Sequence, residues 1–168
     1  MIDPDLALRE AVAEATELAD DPSWKVAFAG AVPGPAILVR DRSRRGERDY
    51  FIVDFRIGER STGRMIVNAT TGVIDEVMGI EEEGEALSGF ITESAVLGRM
   101  RTRIILDDGR VVEPPADPST IEVVWEPSRQ SQTRFEPFYR VSWPSDELYF
   151  RVDGRVFPKL TPPGLPDR

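Results

Sequence analysis

The chain has 168 residues, of which 40% are hydrophobic, and thirty acidic against twenty-one basic residues give it a formal charge of −9. This length and composition suffice to bury a core, as one compact domain or as two small ones. The negative charge disfavours nucleic acids and anionic membranes and favours a basic partner. Because histidine and cysteine are absent, Ser-His-Asp and Cys-His catalysis, disulfides and the usual zinc sites are excluded.

The sequence also predicts the location of the protein and indicates no metal or cofactor site. No apolar run reaches the roughly 18 residues of a membrane span. The start MIDPDLALRE lacks the basic and apolar regions of a secretory signal. We therefore expect a cytoplasmic protein that contacts no membrane. The acidic segment 81–85 is interpreted as a solvated linker and Asp107-Asp108 as turn residues, so no metal and no cofactor is predicted.

The N-terminal segment has the pattern of an amphipathic helix. Asp3 is a good N-cap, and Pro4 suits the first helical position, where its missing N–H has no cost. The helix is predicted to end near Asp20. Its apolar positions recur at helical spacing and predict a buried face: Leu8, Val12, Ala15 and Ala19. Charged residues predict an outer face: Arg9, Glu10, Glu14 and Glu17.

Short apolar segments then predict strands. Trp24 to Ala29 is predicted as a strand, and the turn-forming VPGP leads into a clearer one, Ala36 to Arg40. Tyr50 to Phe55 follows a polar loop. We expect the last two segments to pair antiparallel.

The second half begins with a helix pattern and continues in strands. The apolar residues of the predicted helix are Leu87, Phe90, Ile91 and Leu97, with Ser94 among them. Asp107-Asp108-Gly109 predicts a hairpin with a type I′ turn between 101–106 and 110–112. A Pro-rich connector then precedes a predicted strand, Ile121 to Trp125. In the aromatic segment PFYRVSW, alternation assigns Tyr139, Val141 and Trp143 to the core face.

Two stretches of the chain have nearly the same pattern. Tyr50 to Val77 and Pro137 to Leu160 each have a strand, a polar turn and a second strand that ends in Val-Asx and a Gly-containing turn. Val67-Asn68 and Val152-Asp153 lie 85 residues apart. We therefore predict an α+β fold of antiparallel sheets with helices packed on one face, built from two pseudo-repeated helix-plus-β-hairpin units. The predicted boundaries are 1–80, 81–161 and a Pro-rich tail, 162–168.

The first unit resembles a PepSY-type domain. The resemblance lies in YFIVDF and in GRMIVNATTGVIDEVMGI, where a Val-Asp/Asn-Ala-x-Thr-Gly-x-Val/Ile signature falls on six residues: Val67, Asn68, Ala69, Thr71, Gly72 and Ile74. It covers about Asp5 to Ile80, and the second half matches only in degenerate form, because VDGRVF lacks the Ala-x-Thr-Gly element. The resemblance implies a small helix-plus-sheet fold and a binding or regulatory role, often linked to peptidases.

Two groups of residues are candidate binding sites. The loop Asp41 to Asp49 holds four arginines that could grip carboxylate or phosphate: Arg42, Arg44, Arg45 and Arg48. The alternative is a solvated hairpin connection with balanced charge. Trp125 and Phe135 are candidate aromatic contacts in a segment that is otherwise typical of a sheet core, and no aromatic residues lie among the loop arginines to suggest base stacking.

Paired carboxylates are the remaining route to catalysis. Asp54 and Glu122 stand out because each lies within an apolar strand, where burial could raise its pKa. The main prediction is nevertheless a non-catalytic protein-binding or regulatory protein: an immunity factor, an adaptor or an enzyme regulator. Its expected partner is a protein, with a basic protein, a peptidase or a toxin as candidates, and its oligomeric state is left open. The alternatives are a small-ligand binder with a pocket between sheet and helix, and a carboxylate-dependent enzyme.

Overall fold

A computed structural model describes residues 1–43, 48–115 and 117–164 of the chain. Residues 1–41 and 48–89 form a first compact unit. Arg42, Ser43 and residues 90–164 form a second. The boundary between the units thus follows Gly89, whereas the sequence-based boundary follows residue 80. Each unit combines helices with antiparallel strand pairs, which confirms the predicted α+β class.

The N-terminal helix, α1 (Pro4–Leu18), forms as predicted, and Asp3 Oδ1 accepts a hydrogen bond of 2.8 Å from the N–H of Asp5. Its buried face agrees with the predicted one in part, because Ala15 is buried and Leu8 and Ala19 are partly buried against the core. The buried residues are Ala7, Ala11 and Ala15, whereas Val12 is 38% exposed. Small methyl side chains let the helix approach the sheet closely, so the tightest contact selects alanine over the larger apolar residues.

The segment predicted as a strand at Trp24 to Ala29 is instead a helical turn, α2 (Lys25–Phe28). This prediction was wrong because the segment packs against a flat part of the sheet that the local pattern does not show. The flat part is made by Gly63 and Gly79, which lie directly opposite each other on neighbouring strands. A Cβ at Gly63 would lie 2.5 Å from the Phe28 ring, and one at Gly79 would lie 2.6 Å from Ala27 Cβ.

The described residues of the first unit form five strands: β1 (Val32–Pro33), β2 (Ile37–Asp41), β3 (Tyr50–Ile57), β4 (Arg60–Asn68) and β5 (Ile74–Gly79). Strands β2 and β3 pair antiparallel as predicted, with Leu38 opposite Phe51. Strand β3 extends past the predicted end at Phe55, since Ile57 pairs with Arg60 across a tight turn in which Gly58 has a φ of 62°. Both helices pack on one face of this sheet, which bears Phe51, Val53, Phe55, Met65 and Val67.

The second unit begins with helix α3 (Glu93–Met100), capped by the hydroxyl of Thr92. The predicted helix started too early, because the segment from Leu87 to Ile91 is not helical. The Thr92 hydroxyl accepts from the N–H of Ala95 and fixes the later start. Val96 and Met100, four residues apart, form the buried face, whereas Leu97 is exposed.

A small hairpin follows, formed by β6 (Ile104–Ile105) and β7 (Val111–Val112). The hairpin was predicted correctly, but its turn type was not. A type I′ turn needs positive φ at two central residues, and among the described residues only glycines have positive φ. Gly109, with a φ of 84°, therefore supplies the left-handed conformation alone.

The second sheet runs in the order β8 (Thr120–Trp125), β9 (Phe138–Trp143), β10 (Asp146–Arg151) and β11 (Val156–Phe157). Tyr139, Val141 and Trp143 are buried, as predicted. The opposite face is also apolar in its centre, where a cluster forms from Val124, Phe138, Tyr149 and Phe157. The aromatic residues of this segment therefore belong mainly to the interior of the unit.

Both units contain a turn capped by an Asx side chain at the predicted repeat positions. Asn68 Oδ1 accepts from the N–H groups of Thr70 and Thr71. Asp153 Oδ1 accepts from the N–H of Arg155. These caps explain why Asx occurs at both positions. The pseudo-repeat as a whole stays a prediction.

Candidate functional site

The predicted arginine loop is described only in part. Arg42 donates to Glu122 Oε1 at 2.6 Å, and Arg48 is exposed. Arg44 and Arg45 lie outside the described residues. Arg42 therefore already has a carboxylate partner within the second unit, so its guanidinium group is less available to bind a carboxylate or phosphate of a partner.

The two predicted aromatic contacts are buried. Trp125 is 6% exposed and Phe135 is 5% exposed. A partner-binding aromatic anchor must reach the solvent before it binds. The structure thus places both residues in the interior of the second unit rather than on a surface for a partner.

The two strand carboxylates are both held by arginines. Asp54 is 4% exposed and accepts from Arg64 Nε at 3.0 Å, Arg56 Nε at 2.8 Å and Ser61 Oγ at 2.8 Å. Glu122 accepts from Arg42 and, at 2.9 Å, from Arg140 Nη1. Such hydrogen-bonded ion pairs tie neighbouring strands together, which gives both acids a structural role.

Arg140 extends this arrangement across the second sheet. Its Nε donates to Glu147 Oε2 at 2.7 Å, and the hydroxyl of Tyr149 donates to Glu147 Oε1 at 2.8 Å. Burial acts against ionisation of Glu147, but the hydrogen bonds from Tyr149 and Arg140 outweigh it and lower its pKa. For Tyr149, burial and the same carboxylate raise the pKa to about 12. The network thus favours the ionised form of Glu147 and fixes its side chain on the sheet.

A groove between α1 and β5 is the most distinctive surface of the first unit. It has a volume of about 630 Å³. We call it the acidic groove, because all five of its charged lining residues are acidic: Glu10, Glu14, Glu17, Asp75 and Glu76. Apolar and small residues lie among them: Leu6, Ala13, Thr71, Gly72, Val73, Ile74 and Val77. Glu10 and Glu17 lie about 10 Å apart along the helix axis, since each residue adds about 1.5 Å.

The groove carboxylates of α1 near its carboxyl end occupy an electrostatically unfavourable position. The carboxyl end of a helix carries partial negative charge, and like charges three or four residues apart repel each other. The last turn of α1 has no basic residue, while Glu14 and Glu17 lie in or near it. The helix therefore holds these acids at some cost to its own stability.

Strand β5 is the outer strand of its sheet. Within the described residues β4 is its one strand neighbour, so the other side of β5 is an edge. An edge strand directs every second N–H and C=O group away from its sheet, where another strand can pair with them. The acidic groove runs along this strand and adds negative charge beside it.

The sequence indicated part of this groove. Glu10, Glu14 and Glu17 were assigned to the outer face of α1, and the resemblance signature includes Thr71, Gly72 and Ile74. Their convergence was missed, because it depends on β5 being the edge and on α1 lying beside it. The spacing of three glutamates over seven residues near a helix end was the available signal.

The comparisons add no relative. Neither a family model, nor a curated protein, nor a solved structure matches the chain. None of the helices in the described part has the length and apolar character needed to cross a bilayer. In the same part, no three acidic side chains are arranged to hold a metal ion.

Proposed function

We propose that this chain is a non-catalytic binding protein that takes up an extended, basic segment of a partner protein in the acidic groove. The observation that carries the proposal is the coincidence of an open strand edge with a groove whose charged lining residues are all acidic. Asp54 and Glu122 receive no catalytic role, because arginines engage both.

The binding mode follows from the geometry of the edge. A segment that adds to β5 as a further strand gains main-chain hydrogen bonds, and its side chains alternate between two directions. Lysine or arginine at every second position reaches the carboxylates of α1 and β5. The six residues of β5 span about 20 Å, enough for a short segment of the partner.

The resemblance to PepSY-type domains agrees with this mode. Thr71, Gly72 and Ile74 of the signature line one end of the acidic groove. The proposal therefore includes a regulatory role, with a peptidase or a toxin as the partner that supplies the basic segment. It places the protein and its partner in the cytoplasm.

A direct test uses an eight-residue peptide of alternating lysine and valine, titrated by fluorescence anisotropy in about 0.1 M salt, where the screening length is about 10 Å. Glu14→Lys should weaken binding by about tenfold or more, because attraction in the groove becomes repulsion. The matched control is Glu59→Lys, which makes the same change of net charge in the exposed β3–β4 turn. It should change the affinity by less than about twofold, since only net charge is altered.

Two further measurements separate strand addition from loose charge attraction. Strand addition should slow amide hydrogen exchange at alternate residues of β5, because those N–H groups gain partners. Glu14→Lys should leave the free energy of unfolding unchanged or higher, since the substitution removes an unfavourable acid near the helix end. Equal weakening by both lysine variants, or unchanged exchange along β5, would refute the proposal.

A further inference from the structure

The second unit contains a cleft of opposite charge. Its volume is about 370 Å³, in the range of small-ligand sites. We call it the cationic cleft, because five basic residues line it: Arg110, Arg129, Arg151, Arg155 and Lys159. Two acidic residues, Asp107 and Asp108, also line it. A surplus of basic residues in one cleft is unexpected for a chain with a net charge of −9.

Hydrogen bonds fix the walls of the cationic cleft. The N–H of Arg129 donates to the carbonyl oxygen of Thr161 at 2.9 Å. The N–H of Thr161 donates to Gln130 Oε1 at 2.9 Å, and Gln130 Nε2 donates to Thr161 Oγ1 at 3.3 Å. The segment that carries Lys159 is therefore held against the segment that carries Arg129 by three hydrogen bonds.

The basic residues of the cleft divide into engaged and accessible ones. The side chain of Arg151 is 11% exposed and is held by Asp153 and by the carbonyl oxygen of Gln130. Arg110 and Arg155 are more than half exposed, with single carboxylate partners in Asp108 and Asp107. Exposed pairs of this kind contribute little to stability, so both guanidiniums can turn to a ligand.

Lys159 adds a further positive charge to the cleft. It is exposed and has no carboxylate partner among the described residues. Pro158 precedes it and adds a small apolar surface, behind which Phe157 is buried. The cleft thus combines a free ammonium group, accessible guanidiniums and a small apolar surface.

We propose that the cationic cleft binds a small organic molecule that carries phosphate or carboxylate groups. Lys159 and Arg155 hold the oxyanion, Arg110 and Arg129 add positive charge, and Pro158 contacts the rest of the molecule. Guanidinium groups suit this task because they bind oxyanions through paired hydrogen bonds. The site goes beyond the function proposed above, and it shares no residue with the acidic groove.

The small number of lysines permits a specific test. The chain has only Lys25 and Lys159, so reductive ¹³C-methylation of the full chain gives two lysine signals, which Lys25→Arg and Lys159→Arg assign. Pyrophosphate and citrate serve as separate probes at constant ionic strength. We expect the Lys159 signal to shift in a saturable way, with a Kd below about 1 mM, for at least one probe. The Lys25 signal should stay in place.

Alanine substitutions measure how much each lysine contributes to binding of the probe. Lys159→Ala should weaken binding of the same probe by about tenfold, measured by calorimetry on unmethylated protein. The matched control, Lys25→Ala, should bind as tightly as the parent. Saturation by pyrophosphate alone assigns phosphate chemistry, and saturation by citrate alone assigns carboxylate chemistry.

Three results would overturn the inference. They are no saturable shift with either probe, equal movement of the two lysine signals, and unchanged affinity of Lys159→Ala. Because Lys159 is exposed and has no acidic partner in the described part of the chain, the alanine variant should keep the melting temperature of the parent. These readouts are independent of the Lys-Val peptide experiment, so either proposal can fail without the other.

Discussion

Buried arginine side chains link separate segments of this protein through hydrogen bonds. Arg64 is 1% exposed, and its guanidinium serves both Asp54 and Ser88, whose carbonyl oxygen and hydroxyl it reaches. An ammonium group lacks the planar fork of donors needed to serve a carboxylate and a distant carbonyl together. The residues before the unit boundary are thereby fastened to the sheet through one side chain.

The pair Arg151–Asp153 makes stability depend on pH. Burial opposes ionisation of Asp153, but hydrogen bonds from Arg151 and from the N–H of Arg155 outweigh it, so its pKa lies below the usual 3.8. A lowered pKa in the folded state contributes stability above pH 3.8, and that contribution is lost as the pH falls through the lower value. Asp153→Asn should therefore cost about 1–2 kcal/mol of unfolding free energy at pH 7, and much less at pH 2.

Urea denaturation at the two pH values measures this effect. Asp108→Asn is the matched control, because Asp108 also pairs with an arginine in the same cleft but is half exposed. Its substitution should change the free energy of unfolding far less than that of Asp153. An equal loss of stability for Asp153→Asn at pH 7 and pH 2 would contradict the linkage.

Among the elements, α2 depends on the two facing glycines of β4 and β5. Gly79→Ala would place a methyl group 2.6 Å from Ala27 Cβ, closer than two nonbonded carbon atoms can lie. We expect a loss of roughly 1–3 kcal/mol of unfolding free energy from this overpacking, measured by urea denaturation. Adding Ala27→Gly should restore part of the loss, because it removes the carbon that the new methyl group meets.

The control for this prediction is Gly89→Ala. A Cβ added at Gly89 would meet no atom within 4 Å, and the φ of this residue is not positive, so alanine there should be neutral or slightly stabilising. If Gly79→Ala were as stable as the parent, α2 could not rest on the glycine pair.

Sequence patterns predicted the elements that are specified locally. The Asp3-Pro4 start of α1 and the hairpin at Asp107-Asp108-Gly109 depend on a few neighbouring residues, and both form. The predicted strand at Trp24 to Ala29 failed because its partner surface, Gly63 and Gly79, lies far along the chain. The acidic groove was missed for the same reason, since the order of strands in a sheet is not a local property.

At the scale of the whole molecule, the charge is unevenly distributed. Residues 1–89 contain 18 acidic and 10 basic residues, a net charge of −8, whereas residues 90–168 contain 12 and 11, a net of −1. The acidic groove lies in the first part and the cationic cleft in the second. Each charged surface thus has the sign opposite to that of the ligand proposed for it. The negative field of the first unit should accelerate its encounter with a basic segment.

The open edge of β5 also bears on self-association. Two copies of an edge strand can pair with each other and start aggregation, and charged side chains beside the edge prevent this. Here two copies would bring ten groove carboxylates together. We expect a monomer at low ionic strength, and increasing dimer in about 1 M salt, where the screening length falls to about 3 Å.

Sedimentation velocity at low and high salt measures this change. Glu10→Gln with Glu14→Gln should lower the salt concentration at which dimers appear, and Glu59→Gln should not. A monomer at every salt concentration in the double variant would show that the edge is protected by something other than charge. If dimers appear as expected, the same carboxylates have two functions: they select a basic strand of a partner, and they prevent two copies of this chain from pairing along β5.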